Sequence, residues 1–384
     1  MAHTEIAFSK PGLTGKEFEY MAMAMANNRL SGNGTFTRNC QSLLQKMLSP
    51  HSTALLTQSC TAALEMAAIL LNIEPGDEVI MPSYTFVSTA NPFVLRGGVP
   101  VFTDVREDTL NLDETLIEAA ITKKTKAIAV VHYAGVSCEM DAIRKVAEKH
   151  GLPVVEDAAQ GIMADYKGAP LGSMGALGAL SFHDTKNVIS GEGGSLVVND
   201  ASFVARAEMV WEKGTDRTRF ARGEVDKYTW RDIGSSYLPS ELTAAFLYAQ
   251  LEAARELTDE RLALWNAYHA RFQGFAARHG LRLPSIPEGC AHNGHIYYAV
   301  FPSSEQCDAF LRYSNTHGLG AVSHYVPLHS SPAGKKYGRA HGGLPVTERD
   351  APRLVRFPLW HGLGMEDIVY IVEKTEQFLK TPPP

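Results

Sequence analysis

Three short stretches of this chain carry residue types that could do chemistry together. Thr57-Gln-Ser-Cys-Thr-Ala62 follows a strand-like run and opens an Ala-rich helical one. Ser59 suits the N-cap, and the free N–H groups around Cys60 and Thr61 suit a phosphate. Val154-Val-Glu-Asp-Ala-Ala-Gln160 places an acidic pair at the C-terminal end of an apolar strand. In α/β sheets that end faces the ligand crevice, where Asp157 would pair with a ring nitrogen and keep it protonated. Ser181-Phe-His-Asp-Thr-Lys-Asn187, followed by Gly191-Glu-Gly-Gly194, sets Lys186 in a loop between two apolar runs. A lysine in a desolvated cleft loses basicity and forms an imine with an aldehyde. Taken singly, each stretch has a plainer alternative: an N-cap, a strand-end acid, a surface lysine. Together, in this order, they are the parts of a pyridoxal 5′-phosphate site.

These residues need a frame, and the hydrophobic pattern supplies one. Strands are expected at Ala54–Leu56, Glu78–Met81, Val99–Thr103, Ala127–His132, Pro153–Glu156, Ala179–Phe182 and Leu196–Val198. Helices are expected at Thr61–Asn72 and Met140–His150. Near-continuous apolar strands alternating with helices indicate an α/β sheet covered on both faces. Ser240 to Gly280 reads as one long helix, or two joined near Thr258–Asp259, too polar for a core and bridging two domains. Beyond it, the strand Ile296–Phe301, the helix Ser304–His317 and the strand Ala321–Tyr325 suggest a small α+β domain. At 384 residues, two domains are expected, a large one over 1–250 and a small one over 251–384.

Other chemistries find little support. Gly15-Lys16 is followed by Glu17, so there is no P-loop, and neither H-E-x-x-H nor G-x-S-x-G occurs. Gly172, Gly175 and Gly178 lack the dinucleotide fingerprint. The five cysteines include no C-x-x-C pair, and His324 and His329 are too isolated to suggest a metal. A net charge of −6 leaves no basic footprint for nucleic acid. There is no long apolar run and no signal-like N-terminus, so a cytoplasmic protein with no membrane partner is expected.

The stretches GDEVIMPSYTFVSTAN, VVEDAAQG, SFHDTKNVISGEGG and HYVPLH resemble the DegT/DnrJ/EryC1/StrS sugar aminotransferases, and the likeness runs along nearly the whole chain. ETLIEAAIT, VHYAGVSCEMD and KYTWRDIGSSYL resemble the branch that makes dTDP-4-amino-4,6-dideoxygalactose for surface polysaccharide. The resemblance implies the aspartate aminotransferase-like fold (fold type I), with a mixed, mostly parallel seven-stranded sheet and a smaller α+β C-terminal domain. It implies Lys186 as the catalytic lysine, Asp157 on the pyridinium nitrogen, Gln160 on the phenolic oxygen and Phe86 stacked on the ring. Cys60, Thr61 and Ser181 would hold the phosphate. A homodimer with a shared active site is implied, in which the partner completes the phosphate site. Where many members have G-x-N-x-R-M, this chain reads Gly234-Ser-Ser-Tyr-Leu238, so Ser235 or Ser236 would substitute.

For the second substrate, the resemblance points to Thr35, Arg38, Arg217, Tyr325 and His329. The implied reaction is ping-pong transfer of the amino group of L-glutamate to a dTDP-4-keto-6-deoxyhexose. Some relatives carry histidine at the lysine position and act as dehydratases, so the presence of Lys186 favours transamination. His183 reads as a supporting residue, and an interdomain pair is one open reading of Arg356. No arginine stands out as the partner of the donor's carboxylates. Two alternatives stay open: another nucleotide ketosugar (C3-keto or GDP-linked), or a regulatory protein that binds the cofactor without turnover.

Overall fold

Seven strands follow one another in the computed structural model, which describes residues 5–380. They are β1 (Thr53–Thr57), β2 (Glu78–Pro82), β3 (Val99–Thr103), β4 (Thr125–Val131), β5 (Val154–Asp157), β6 (Leu177–Ser181) and β7 (Gly194–Val198). All seven join one sheet in the order β1-β7-β6-β5-β4-β2-β3. β7 runs antiparallel to both its neighbours, and the rest are parallel. The sheet has eight strands rather than seven, because Arg339–Ala340 returns from the C-terminal part and pairs parallel to β3. Two residues carry no readable periodicity, so only the fold reveals this strand. Arg339 also forks onto Glu78, with both nitrogen–oxygen distances at 2.9 Å.

The strands are apolar because both faces of the sheet are covered. Every residue of β2, β6 and β7 is buried. On one face Phe36, Leu44, Ile128, Val130 and Leu247 pack together. On the other, the helix Cys60–Leu70 lies against Met81, Val155 and Leu196. Its run of small residues (Ala62, Ala63, Ala67, Ala68) brings the helix close to the sheet.

The helical stretch after Ser240 is two helices, Glu241–Glu252 and Ala254–Gln273, which meet at Ala253 rather than near Thr258. The first is a core helix, contrary to the expectation for the stretch as a whole, because its own sequence ELTAAFLYAQLE is mostly apolar. Its polar residues are buried with partners: Glu241 accepts from the N–H groups of Gly34, Phe36 and Thr37, and Gln250 donates to Glu17. Satisfied polar groups of this kind do not oppose burial. The second helix spans two cores. Leu257 packs beside the sheet, while Leu264, Trp265, Tyr268 and Phe272 enter a separate cluster.

That second cluster belongs to the smaller C-terminal domain. It is built on the antiparallel strands Tyr297–Val300, Leu354–Phe357 and Val322–Ser323, with the helices Ser304–Thr316 and Met365–Lys380. Ile6 from the N-terminal segment joins this core. No helix among the described residues is long and apolar enough to cross a membrane.

Candidate active site

A cavity of about 860 Å³ opens where the strand ends of the sheet meet the C-terminal domain. At its floor is the N-terminus of helix Cys60–Leu70. Ser59 has an extended backbone (φ −164°), and its Oγ accepts from the Ala62 N–H at 3.1 Å. The cap satisfies that donor and leaves the N–H groups of Cys60 and Thr61 without a partner among the described residues. Gly194 is needed here, since a Cβ on it would fall on the Ser59–Cys60 peptide. Burial pushes the Cys60 thiol well above its usual range, so its side chain is a neutral wall and no nucleophile. Ser181 lines the same end.

Asp157 stands at the end of β5, buried. Its Oδ2 accepts from Thr89 Oγ1 at 2.7 Å, and Oδ1 from the Ala159 N–H at 3.2 Å. Thr89 spends its proton on Asp157, so Thr85, 2.7 Å away, donates to Thr89 in turn. Burial raises the Asp157 pKa, opposed by the Thr89 hydrogen bond, the Ala159 N–H and the charge of Lys186. A buried carboxylate in that state gains from a cationic N–H partner.

The neighbouring Glu156 was expected to share the crevice and does not, because successive strand side chains face opposite ways. Its carboxylate accepts from His132 Nε2 (2.9 Å) and from the N–H groups of Gly172 (2.8 Å), Met174 (2.6 Å) and Gly175 (2.5 Å). The Cys138 N–H donates to His132 Nδ1 at 3.2 Å, so Nε2 carries the proton given to Glu156. Burial alone would raise the Glu156 pKa, yet these donors bring it below its ordinary value. The spaced glycines thus form a cradle for a structural carboxylate.

Lys186 lines the cavity, and no carboxylate is in ion-pair contact with it among the described residues. Burial lowers its pKa, with Cys60 and Asp157 pulling the other way and Arg356 adding to the fall. Its neighbour Asn187 anchors the loop: Nδ2 donates to the Asn293 carbonyl and Oδ1 meets His295 Nδ1, both at 2.8 Å. Gln160 Oε1 accepts from the Ala134 N–H (2.6 Å), and Nε2 donates to the Tyr325 hydroxyl (3.2 Å). Phe86 is 54% exposed at the cavity, with its ring 6.1 Å from that of Tyr325. The His183 ring contacts Thr185, Asp184 and Glu192, which is a supporting arrangement.

The cavity therefore gathers Cys60, Thr61, Phe86, Asp157, Gln160, Ser181, Lys186 and Tyr325. It does not include His329. That ring bonds Ser83 Oγ at 2.6 Å and Glu348 at 3.3 Å, which fastens its own loop. Thr35, Arg38, Arg217 and Ser236 are exposed and outside this cavity. Their loops adjoin: Asn33 donates to Glu212 at 3.5 Å, and Glu212 bridges to Ser236.

For Arg356 the open reading of an interdomain pair is not what the structure shows. It makes no ion pair or hydrogen bond among the described residues, so it is no interdomain pair. It lines the cavity instead. Residues found only in three dimensions include Thr85, Thr89, Asn187 and Phe8. Thr85 and Thr89 carried a signal, a helical i, i+4 spacing within SYTFVSTAN, whereas Phe8 carried none. No group of His, Cys, Asp or Glu is arranged to hold a metal among the described residues.

A sequence profile of the DegT/DnrJ/EryC1/StrS aminotransferase family matches residues 12–376. The chain belongs to that family. The spore coat polysaccharide biosynthesis protein SpsC of Bacillus subtilis is 32% identical over 335 residues, covering 85% of each chain. Among solved structures, DesI, described in the presence of its TDP-sugar product, is 27% identical with a TM-score of 0.87, over 98% of this chain and 94% of that one. The putative sugar aminotransferase Spr1654 of Streptococcus pneumoniae, in its PMP form, is 25% identical with a TM-score of 0.89, over 98% and 99% of the two chains. This sugar aminotransferase has the PLP-dependent aminotransferase fold, and pyridoxal 5′-phosphate is its cofactor. The cavity fits that group. Open N–H groups would suit a phosphate, a buried acid a ring nitrogen, and an unpaired lysine of lowered basicity an aldehyde.

Proposed function

We propose that this aminotransferase moves the amino group of L-glutamate to the C4 ketone of dTDP-4-keto-6-deoxy-D-glucose. The product would be dTDP-4-amino-4,6-dideoxy-D-galactose, made in the cytoplasm for surface polysaccharide. The observation that carries the reaction class is Lys186, unpaired and of lowered pKa, in one cavity with Asp157 and the open helix N-terminus. The TDP-sugar product of DesI and the polysaccharide role in the name of SpsC support the substrate class. The ETLIEAAIT, VHYAGVSCEMD and KYTWRDIGSSYL stretches support the particular sugar.

When bound, the cofactor supplies an electron sink that makes the donor's α-proton acidic. The side chains do the rest. Cys60 and Thr61 N–H groups would hold the phosphate with Ser181, and Phe86 would lie against the ring. Asp157 would keep the ring nitrogen protonated, and Gln160 Nε2 would donate to the ring oxygen. Lys186 Nζ, whose basicity burial lowers, would take the proton released at the donor α-carbon.

A homodimer completes this reading, with Ser235 or Ser236 of one protomer reaching the phosphate end of the other. Its support is the surface carrying Thr35, Arg38, Arg217 and Ser236, beside which Leu30, Tyr228, Trp230 and Ile233 are exposed. Large apolar side chains at a rim of polar groups mark an interface.

The test is the visible absorbance of the purified holoenzyme. Glutamate should bleach the band, and the dTDP-4-ketosugar should restore it. Bleaching without restoration keeps the aminotransferase and rejects this sugar in favour of a C3-keto or GDP-linked one. A band that glutamate leaves untouched would instead indicate a regulatory cofactor-binding protein. Lys186→Ala should remove both the band and turnover, and substantial residual transamination would overturn the assignment of the lysine.

A further inference from the structure

His295 stands on the segment that leads from the helix Ala254–Gln273 into the strand Tyr297–Val300, and it lines the cavity with Lys186. Three sets of contacts fix this segment. Arg261 of the helix donates to the carbonyls of Gly294 (3.3 Å) and His295 (2.8 Å). Residue 294 passes so close to the Arg261 backbone that a Cβ would lie 2.9 Å from it, and its φ of +61° also suits glycine. The Asn293 side chain donates to the carbonyls of Gln160 (2.8 Å) and Ile162 (2.7 Å) and accepts from the His295 N–H (3.1 Å). Asn187, next to the lysine, holds the imidazole itself through Nδ1 at 2.8 Å.

These contacts decide where the ring proton sits. A carbonyl only accepts, so Asn187 Nδ2 donates to the Asn293 carbonyl at 2.8 Å, which turns Oδ1 toward His295. That oxygen also only accepts, so His295 Nδ1 carries a proton. Burial, with the charges of Lys186, Arg261 and Arg356, holds the ring pKa well below its ordinary value. The ring is therefore neutral, and Nε2 is a bare lone pair. It has no partner among the described residues and is not one of their enclosed orphan atoms, so it opens on the cavity.

We infer that His295 is a specificity residue for the sugar, its Nε2 accepting a hydrogen bond from a hydroxyl of the hexose ring. This rests on the ketosugar reading above. A lone pair selects a ligand that can donate. Ionised carboxylates cannot, so 2-oxoglutarate offers it nothing, and the one donor on glutamate is the amino group that reacts. The hexose alone carries unreacting O–H groups beside the ketone. The acceptor also hangs from Asn187, the residue after Lys186, so a hydroxyl docked on Nε2 is placed in fixed relation to the lysine.

The experiment uses the cofactor-loaded enzyme and two probes titrated by calorimetry: dTDP-glucose, a nucleotide sugar without a ketone, and dTDP alone. His295→Asn is the decisive variant. Its amide nitrogen falls where His Nδ1 lies and keeps the bond to Asn187, while nothing replaces Nε2. It should weaken dTDP-glucose binding by about tenfold, the scale of one lost hydrogen bond, and leave dTDP binding unchanged. Bleaching of the absorbance band by glutamate should be unchanged, and the ketosugar concentration for half-maximal restoration should rise by the same factor. His295→Gln, whose amide oxygen reaches the place of Nε2, should recover part of the dTDP-glucose affinity. Unchanged dTDP-glucose affinity in His295→Asn would overturn the proposal. So would an equal loss for dTDP, which would assign the residue to the nucleotide, or an equal loss in the glutamate half-reaction, which would leave His295 only a support of the lysine loop. If dTDP-glucose binding depends on His295 but the ketosugar restores nothing in wild-type enzyme, the substrate reading fails and the hydroxyl subsite stands.

Discussion

Glu156 and Asp157 are adjacent in the chain and opposite in role. The strand turns one carboxylate into the cavity and the other onto three backbone donors and a histidine. The consequence for pH can be worked out. The folded pKa of Glu156 lies below its ordinary value of 4.5, so the ionised group stabilises the protein above that pH. That contribution is lost as the pH falls through the folded value. Glu156→Gln should therefore melt at a lower temperature than wild type at neutral pH, and the gap should close in acid. A gap that stays constant from neutral to acid pH would show that the charge is irrelevant. Arg356 makes the converse case at this scale. Its guanidinium lies on the Phe8 ring and meets no acid among the described residues, so Arg356→Met, which keeps an apolar contact with that ring, should melt close to wild type in the apo protein, as a calorimeter would read.

Helix Cys60–Leu70 and β7 together shape the phosphate end. The helix presents donors because Ser59 caps it one residue before Cys60. β7 approaches that cap closely only because residue 194 has no side chain. Gly194→Ala should push the Ser59–Cys60 peptide out of line. Cofactor affinity, measured by titrating apo protein with pyridoxal 5′-phosphate, should fall at least about tenfold, since backbone donors act within narrow geometry. Retained affinity would mean that the helix N-terminus is not the phosphate site. Far-UV circular dichroism would separate this from loss of the fold.

Across the whole molecule, the sheet and the C-terminal domain provide the two walls of the cavity, and the N-terminal segment closes one side through Phe8. The proposed dimer adds what one chain lacks. Trp230 is 80% exposed, far more than a large aromatic side chain in a monomer's surface would favour. Trp230→Glu should shift the protein toward monomer in sedimentation velocity and weaken cofactor binding in parallel. A monomeric wild-type protein with full cofactor affinity would overturn the shared site.

Much of this was legible in the residues alone. Strands buried on both faces are written as apolar runs, so β1 to β7 were readable, and Met140–His150 forms the helix its apolar spacing indicates. Lys186, Asp157 and the Ser59–Thr61 turn announce themselves because their chemistry needs particular residue types at element ends. What the tertiary structure decided are matters of direction and distance. Whether Glu156 or Asp157 faces the cavity depends on strand register. The burial of Glu241 and Gln250 in the helix Glu241–Glu252 depends on partners remote in sequence, such as Gly34 and Glu17. Arg356 reads as any strand arginine until Phe8, from the other end of the chain, is found on its face. A sequence records which groups are present, and long-range packing alone determines which of them are left without a partner.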